Sequence, residues 1–576
     1  MPYIIYNMPD TPNINNKAVA QNTYDAIVVG SGISGGWAAK ELCEKGLKTL
    51  VLERGRNVEH LKDYPTATKA PWEFEHRGSI TEEMREKQHI QVRGFCNEAN
   101  KHFFVNDLEH PYTQVKPYDW IRGYHVGGRS LMWGRQCYRW SDIDFGANAK
   151  DGHGVDWPIR YKDIAPWYSY VEKYVGISGS IENLLQLPDG EFLPPMEMNC
   201  LEKHVAESIK TNFSDGRRMI IGRVANLTKG LNGRGPCQYR NMCDRGCPFT
   251  GYFSSNGVTL PSAKATNNLT LRPYSIVVDV ICDKDAKNAK GIRIIDAETM
   301  KTEEFFAKII FLNASTIGTT SILLNSKSGA HPNGLGNSSD QLGRNLMDHH
   351  YHVGASATYE GFKDSYTFGR RANGIYVPRF RNISEATKQK EYVRGFGYQG
   401  GAYRGRVSDL EGIGESLKEQ LTEPGDWGFW IGGWGEQLPN PDNRVTLSKD
   451  KKDKWGLPLV DVDAEWKSNE LAMRKDMMNS AAEMLERAGC KNISTFDDPH
   501  ANPGLCIHEM GTARMGKDPK TSVLNEWNQV WDCKNVFVTD GSCMASSACQ
   551  NPSVTYMALT ARAADHAVDE LRKGNL

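Results

Sequence analysis

Apolar runs separated by a glycine-rich turn predict a strand, a helix and a second strand near the start of the chain. The run 24–29 is apolar and rich in β-branched residues, and it leads into closely spaced glycines. A second apolar run at 50–52 ends in an acid. This order is typical of a βαβ unit, in which a helix connects two parallel strands.

Later segments repeat the strand-to-helix pattern at points far apart in the sequence. We predict strands at 276–281 and 535–538, and a strand at 308–314 that runs into an apolar helix. Pro552 opens a long segment that predicts a helix continuing through residue 571. The nucleotide-binding part is therefore expected to be discontinuous.

The region from residue 350 to about residue 499 has a different character. It is rich in Gly, Trp and Tyr, and stretches such as 444–447 alternate apolar and polar residues. Alternation predicts antiparallel strands that rest one face on a core. We predict an inserted, substrate-facing domain here, with the charged run 449–454 forming a solvated hairpin turn.

Length and composition indicate a globular protein with more than one domain. At 576 residues the chain is too long for a single hydrophobic core, and 39% of its residues are hydrophobic. The formal net charge of −1 provides no basic field for nucleic acid or anionic lipid, so nucleic acid is not an expected partner.

Hydropathy predicts no transmembrane segment, since no run approaches the roughly 20 apolar residues that cross a bilayer. Residues 1–22 are polar and show neither a secretory nor a twin-arginine pattern. Two locations stay open: the cytoplasm, or the periplasm by export of the folded enzyme with a partner that carries the signal.

The first turn carries a dinucleotide-binding fingerprint. Gly30 permits the tight turn, Gly32 lets the backbone approach a pyrophosphate, and Gly35 allows the helix to pack closely on the strand. Glu53 lies where a carboxylate accepts hydrogen bonds from ribose hydroxyls and repels a 2′-phosphate. A redox enzyme that does not use NADP is the interpretation this pattern favours.

Two further segments carry candidate chemistry. A glycine-rich loop at 123–135 has bulky neighbours and is suited to bring backbone close to a ligand.

A cysteine cluster reads Cys237-x5-Cys243-x3-Cys247 within the loop 235–250, and three such thiolates can ligate a small iron–sulfur cluster. A zinc site, unligated cysteines, or a basic loop that binds phosphate or a partner are the alternatives. The thirteen scattered cysteines argue against a disulfide framework.

Taken together, these features resemble the glucose-methanol-choline (GMC) flavoprotein oxidoreductases. The resemblance rests on the fingerprint ending at Glu53, Gly127-Gly128-x-Ser130, the stretch 342–349, His508-x-x-Gly511-Thr512, and a C-terminal set with Asp540-Gly541 and 551–555. Within the family the chain looks most like bacterial sugar dehydrogenases, such as the large subunits of glucoside 3-dehydrogenase and gluconate 2-dehydrogenase. Pyranose oxidase is a more distant relative.

The resemblance implies an α/β fold with a discontinuous, Rossmann-like FAD-binding domain and an inserted α+β substrate domain containing an antiparallel sheet. We expect the FAD-binding domain at 20–160, 225–350 and 500–576, and the substrate-binding domain at 161–224 and 351–499. FAD is expected to be bound non-covalently, because Met132 stands where some pyranose oxidases carry a covalently linked His. The cofactor-binding residues expected from the resemblance are Gly30, Gly32, Gly35, Glu53, Arg54, Gly127, Gly128, Ser130, Met132, Trp133, Gly134, Val277, Ala314, Asp540, Gly541 and Ser553.

The resemblance also implies a catalytic pair. Oxidation of an alcohol by flavin requires a base within hydrogen-bond reach of the hydroxyl as hydride leaves for flavin N5. That role falls to His508, and Asn551, which is not basic, is expected to orient the alcohol oxygen. The start of the helix after Asn551 would direct its positive end at the flavin.

The function that follows is FAD-dependent oxidation of a secondary ring hydroxyl of a sugar or glycoside, with C3 of glucosides preferred. By the resemblance, Cys237, Cys243 and Cys247 hold a [3Fe-4S] cluster, which implies a small subunit and a cytochrome or other electron-transfer partner. Trp427, Trp430 and Trp434 could stack on a pyranose or belong to a core. An O2-using oxidase, a non-catalytic flavin carrier and a nicotinamide dehydrogenase are the competing hypotheses.

Overall fold

The structure is a computed structural model that describes residues 22–283, 287–367, 369–406 and 412–576. The polar N-terminal stretch up to residue 21 lies outside these residues. Within them the strands are β1 (Thr23–Val29), β2 (Thr49–Leu52), β3 (Thr113–Gln114), β4 (Ile177–Ser178), β5 (Phe192–Leu193), β6 (Ile220–Ile221), β7 (Leu269–Arg272), β8 (Ser275–Cys282), β9 (Ala289–Asp296), β10 (Thr302–Leu312), β11 (Val353–Tyr359), β12 (Ile375–Val377), β13 (Phe396–Arg406), β14 (Pro424–Gly435), β15 (Arg444–Lys452), β16 (Pro458–Asp463), β17 (Lys491–Asp497), β18 (Gln529–Val530) and β19 (Cys533–Val538).

The α-helices connect these strands and cover their faces. They are α1 (Ile33–Glu44), α2 (Glu82–Lys87), α3 (Asp142–Phe145), α4 (Ala147–Asp151), α5 (Tyr161–Val175), α6 (Cys200–Asn212), α7 (Leu260–Ala265), α8 (Thr316–Asn325), α9 (Glu415–Thr422), α10 (Ser468–Arg487) and α11 (Ser553–Arg572). Among the described residues, no helix combines the length and the apolar character needed to span a membrane.

The larger sheet places β1 in its interior, as the apolar residues 26–29 of this strand predict. The strand order is β18-β19-β10-β1-β2-β7, with β9 and β8 added antiparallel beside β10. β1 pairs in parallel with β10 and β2, and β10 pairs in parallel with β19. Alternate β1 residues enter two different apolar clusters, so both faces of the strand are buried.

The second sheet is antiparallel throughout and has the order β17-β11-β14-β13-β12-β6. Apolar residues of α6 and α10 cover one of its faces and form a cluster of their own. The predicted architecture, a nucleotide-binding sheet with an inserted antiparallel sheet, is confirmed. β6 joins this sheet from the earlier segment 161–224.

Two local features differ from the sequence-based expectations. Within the charged run 449–454, residues 449–452 are exposed but belong to β15, so the reversal of the hairpin begins only at Asp453. This hairpin also pairs with β3 in a small sheet of its own. The second feature is α5, which falls in the segment 161–224 expected in the substrate-binding domain. α5 packs against α11, and the apolar residues of α5 lie in the core of the nucleotide-binding part. The domain boundaries themselves stay a prediction.

Candidate active site

A cavity of about 2010 Å³ lies between the two sheets. The ends of β1 and β2 contribute residues from one side, and β13 and β14 contribute residues from the other. Ordinary ligand pockets occupy about 300–1,000 Å³. The cavity therefore has room for a large cofactor together with a substrate.

The three fingerprint glycines meet three different surroundings. A Cβ on Gly30, whose φ is +90°, would lie 2.3 Å from the backbone oxygen of Asn313. A Cβ on Gly35 would lie 1.9 Å from the backbone oxygen of Gly30, so this glycine permits close packing of helix on strand. A Cβ on Gly32 would meet no protein atom within 4 Å. Gly32 thus lines open space at the start of α1, where free N–H groups favour an anion.

Glu53 is held with both carboxylate oxygens directed by hydrogen bonds. One oxygen accepts from the backbone N–H of Ser31 at 3.2 Å and from its hydroxyl at 2.5 Å, and the other accepts from the backbone N–H of Gly55 at 2.9 Å. Burial raises the pKa of Glu53, while the Ser31 hydrogen bond opposes the shift. The carboxylate lines the cavity and keeps lone pairs for ribose hydroxyls.

Asn313, whose backbone lies beside Gly30, adds a polar group to the fit for a dinucleotide. The side-chain amide nitrogen of Asn313 is buried without a hydrogen-bond partner among the described residues, while its oxygen accepts from Thr539. Asn313 lines the cavity, so this unpaired donor lies at or just behind the cavity wall. The open space at Gly32, the acceptor at Glu53 and this donor together suit FAD.

Most of the residues expected to bind the cofactor line this cavity. Those that do are Gly30, Gly32, Glu53, Arg54, Gly128, Ser130, Met132, Trp133, Gly134, Val277, Ala314, Asp540, Gly541 and Ser553. Gly35 and Gly127 lie behind the wall, where the N–H of Gly127 donates to the Ser31 hydroxyl at 2.9 Å. Arg54 packs over the rings of Tyr124 and Trp455.

The predicted catalytic pair meets at the far end of the cavity. The side-chain nitrogen of Asn551 lies 3.3 Å from Nε2 of His508, and both residues line the cavity. Asn551 precedes α11 but is not its N-cap residue, because Pro552 occupies that position. The side-chain oxygen of Asn551 accepts from the amide of Gln399 at 2.7 Å.

Asp348 shapes the loop that carries His508. Its carboxylate accepts backbone N–H bonds from Gly504 at 2.8 Å, Cys506 at 3.1 Å and His508 at 2.8 Å. The ring of His508 is thereby presented to the cavity from a loop wrapped around one carboxylate.

The electrostatic surroundings keep His508 neutral. Its pKa lies well below the usual range because burial disfavours the imidazolium, and because His349 and Arg129 lie nearby. Arg129 pairs with the buried Glu509 at 2.8 Å. A neutral imidazole is the form that accepts a proton.

Several residues of this site were not anticipated. His349 contacts His508 with 2.9 Å between their Nδ1 atoms, and Gln399 holds Asn551 from the antiparallel sheet. His349 falls inside the stretch 342–349 that supports the resemblance, which is the signal that points to it. Gln399 carries no local signal, because its role depends on which face of β13 meets the cavity.

The tryptophans of β14 separate into two groups. Trp427 is 1% exposed and belongs to the core beneath the sheet. Trp430 is 41% exposed, and it lines the cavity together with Trp434. Trp434 also stacks on Tyr351 with 5.5 Å between ring centroids.

The cysteine loop lies against the glycine-rich loop. Cys237, Cys243 and Cys247 are half-buried, and Cys243 lines the cavity. Burial raises the pKa of Cys237, and the thiols of Cys243 and Cys247 add to the shift. The turn Cys243–Arg245 contacts the turn Gly128–Leu131. Arg240 and Arg245 donate to the backbone oxygens of Ala67 and Lys69 and so tie the loop down.

Comparison with known families decides the assignment. Two family models, both described as GMC oxidoreductase, match residues 24–351 and residues 439–560. The chain belongs to the GMC oxidoreductase family. The predicted resemblance is confirmed, and with it the expectation of an FAD-dependent enzyme that oxidises CH–OH groups.

Individual GMC relatives match along nearly the whole chain. It is 30% identical over 558 residues to 2-methyl-1,2-propanediol dehydrogenase of Mycolicibacterium austroafricanum, covering 94% of each protein. It is 25% identical to the fructose dehydrogenase large subunit of Gluconobacter japonicus, covering 96% of this chain and 98% of that subunit. A solved structure of formate oxidase from Aspergillus oryzae RIB40 shares the fold, with a TM-score of 0.60, 13% identity and coverage of 96% and 99%.

Proposed function

We propose that this GMC oxidoreductase oxidises a secondary ring hydroxyl of a sugar or glycoside, with C3 of glucosides as the preferred position. The observation that carries the proposal is the pair His508 and Asn551 at the end of a cavity that also presents Trp430 and Trp434. A base and a hydrogen-bond donor lie together beside aromatic faces of a size suited to a sugar ring.

The chemistry follows from the groups on this wall. When bound, FAD supplies the acceptor for the hydride that leaves the carbinol carbon. Nε2 of His508 accepts the hydroxyl proton, and the amide N–H of Asn551 donates to the alcohol oxygen. The alcohol thereby loses one hydride and one proton and becomes a ketone.

A small diol is a second candidate substrate. The relative at 30% identity is named for a propanediol, and a small diol needs none of the aromatic wall. The cavity extends from the residues expected to bind FAD to the exposed ring of Trp430. This space favours a sugar, which is larger than the diol and has a flat face.

We further propose that electrons leave the protein through the cysteine loop. Cys237, Cys243 and Cys247 would hold a [3Fe-4S] cluster, which would supply one-electron transfer to a haem or quinone partner. The contact between this loop and the glycine-rich loop supports the assignment. A relative named as a large subunit supports a multi-subunit assembly. Direct use of O2 is the alternative, and periplasmic location by co-export stays a prediction.

Anaerobic reduction of the bound flavin tests the proposal. Methyl glucosides, free sugars and 2-methyl-1,2-propanediol are compared by stopped-flow absorbance, and the product is located by NMR. We expect a glucoside to give a 3-keto product, and His508→Ala to slow flavin reduction by roughly 10²–10⁴ while FAD stays bound. His352→Ala is the matched control, since His352 is partly exposed and pairs with Asp498. Reduction by the diol alone, or an unimpaired His508→Ala variant, would overturn the proposal.

A further inference from the structure

His349 lies behind His508, on the side away from the cavity. It is 1% exposed, and among the described residues Nδ1 of His508 has side-chain contacts with His349 and with Cys506. Its Nε2 lies 3.1 Å from the backbone oxygen of Ser547 and 3.0 Å from that of Ala548. Its Nδ1 lies 2.9 Å from Nδ1 of His508.

The two backbone oxygens determine where the proton of His349 lies. A carbonyl oxygen can only accept, so Nε2 of His349 must carry the hydrogen. Burial lowers the pKa of His349 to about 4, so the ring is neutral and has one N–H. Its Nδ1 is therefore an acceptor, and the proton in the 2.9 Å contact belongs to Nδ1 of His508.

The same direction continues through the rest of the site. A neutral His508 that is protonated at Nδ1 has its lone pair on Nε2, where the amide N–H of Asn551 donates. The oxygen of Asn551 accepts from Gln399. Each contact thus has one donor and one acceptor, from the backbone oxygens to the cavity.

Cys506 does not reverse this order. Its sulfur lies 3.4 Å from Nδ1 of His508, and burial keeps the thiol protonated by raising its pKa. If the thiol donated to Nδ1 of His508, that nitrogen would carry no proton. The proton in the contact between the two histidines would then belong to Nδ1 of His349, and the neutral His349 would face two backbone oxygens with an unprotonated Nε2. Sulfur is a weak acceptor, so it can share the N–H of His508 instead.

We propose that His349 is a positioning residue that fixes His508 in the Nδ1–H tautomer, so that the basic Nε2 faces the substrate hydroxyl. This inference rests on the proposed role of His508 and adds a role for a residue that does not touch substrate. In the other tautomer Nε2 would carry a hydrogen and could not accept the hydroxyl proton. When Nε2 takes that proton, Nδ1–H of the resulting imidazolium remains bonded to His349, whose own proton stays on Nε2.

The tautomer itself is the first readout, and it needs no turnover. Protein labelled with 15N-histidine is examined by long-range 1H–15N NMR with and without FAD, and His508→Ala identifies the signals of His508. We expect a protonated Nδ1 and an unprotonated Nε2 in the wild type, and loss of that preference in His349→Leu. A wild-type His508 protonated at Nε2, or a tautomer unchanged in His349→Leu, would overturn the inference.

Two amide variants separate positioning from packing. The side-chain oxygen of Asn lies as many bonds from Cα as Nδ1 of His, so His349→Asn keeps an acceptor for His508. The nitrogen of Gln corresponds to Nε2, so His349→Gln keeps only the donor to the backbone oxygens. We expect the limiting rate of flavin reduction to stay within about fivefold of wild type for Asn and to fall about 10- to 100-fold for Gln and Leu, with substrate dissociation little changed. Equal losses in Asn and Gln would show a structural role and contradict the inference.

A double-mutant comparison keeps the two proposals distinguishable. If His349 acts through His508, adding His349→Gln to His508→Ala should cause almost no further loss of rate. A further loss as large as that in the wild-type background would refute the positioning role. An unimpaired His508→Ala variant would instead refute the proposed function. The Asn and Gln comparison remains available if the Leu variant does not fold.

Discussion

Gly32 and Gly35 belong to the same turn but should respond differently to an added methyl group. Gly32→Ala is expected to leave stability within about 0.5 kcal/mol, since φ is −67° and its Cβ meets no protein atom. The methyl group would face the cofactor and weaken FAD binding roughly 10- to 100-fold, the equivalent of a lost charge-assisted contact. Gly35→Ala should destabilise the protein itself by about 1–3 kcal/mol or more.

Thermal unfolding of the FAD-free protein and fluorescence titration with FAD separate the two effects. A Gly32→Ala variant that binds FAD with wild-type affinity would show that the pyrophosphate lies elsewhere. A Gly35→Ala variant as stable as the wild type would contradict the packing seen against Gly30.

His508 predicts activity that persists into mildly acidic solution. Its pKa is lowered, so the protonated, inactive form is scarce at a pH where an ordinary histidine, with a pKa of about 6.5, is half protonated. Arg129 favours the neutral form of His508. Two carboxyl groups also lie close by: Glu509 pairs with Arg129, and Asp348 accepts the backbone N–H of His508. We expect the acid limb of kcat/KM to lie below pH 6.5, and a limb at or above that value would contradict this electrostatic picture.

At the level of elements, the cysteine loop should behave as a unit. If the loop holds the proposed cluster, replacing Cys237, Cys243 or Cys247 by Ser is expected to remove its iron–sulfur absorbance, because a thiolate ligand is lost. Flavin reduction by substrate should continue, since His508 and Asn551 are untouched, while turnover with a cytochrome should fall. Iron and sulfide content together with EPR of the oxidised protein provide the measurement.

Cys490→Ser is the matched control for these variants. Cys490 follows α10 in the core of the antiparallel domain and is buried there. The proposal would be contradicted if the wild-type protein contained no iron, or if none of the three substitutions changed cytochrome-linked turnover. The loop would then have a structural role, and an oxidase would be favoured.

β14 offers a second pair of matched substitutions. Trp430→Ala is expected to raise KM for a sugar while changing stability by about 0.5 kcal/mol or less, because its ring faces the cavity. Trp427→Ala should cost about 3–5 kcal/mol, because it leaves a void in the core. Chemical denaturation and steady-state kinetics on both variants check this. Equal effects on KM would contradict the assignment of the two faces.

Local sequence was a good guide to the elements but not to their partners. The apolar run at 24–29 corresponds to β1 almost residue for residue, because a strand buried on both faces needs such a run. The pairing of β3 with β16 has no local signature. The charged run lies partly at the end of β15 and partly in the turn, because the exposed end of a strand tolerates charge as well as a turn does.

At the scale of the whole molecule, the catalytic site is assembled by long-range packing. His349 and His508 are far apart in sequence, as are Gln399 and Asn551, and no periodicity relates them. The candidate catalytic roles of His508 and Asn551 could be inferred from the family motifs. Their hydrogen-bond directions, and hence the role of His349, required the tertiary structure.

The discontinuous sheet also determines when the cofactor site exists during biosynthesis. β1 is made early, but its neighbour β10 begins only at Thr302, and β19 and α11 follow after residue 532. At about 5–20 residues per second, β1 waits roughly a quarter of a minute to a minute for β10. Asp540, Gly541 and Ser553 complete the cavity wall later still. Until β10 is made, β1 therefore has an unpaired strand edge, and the cofactor site is complete only after the start of α11 has been synthesised.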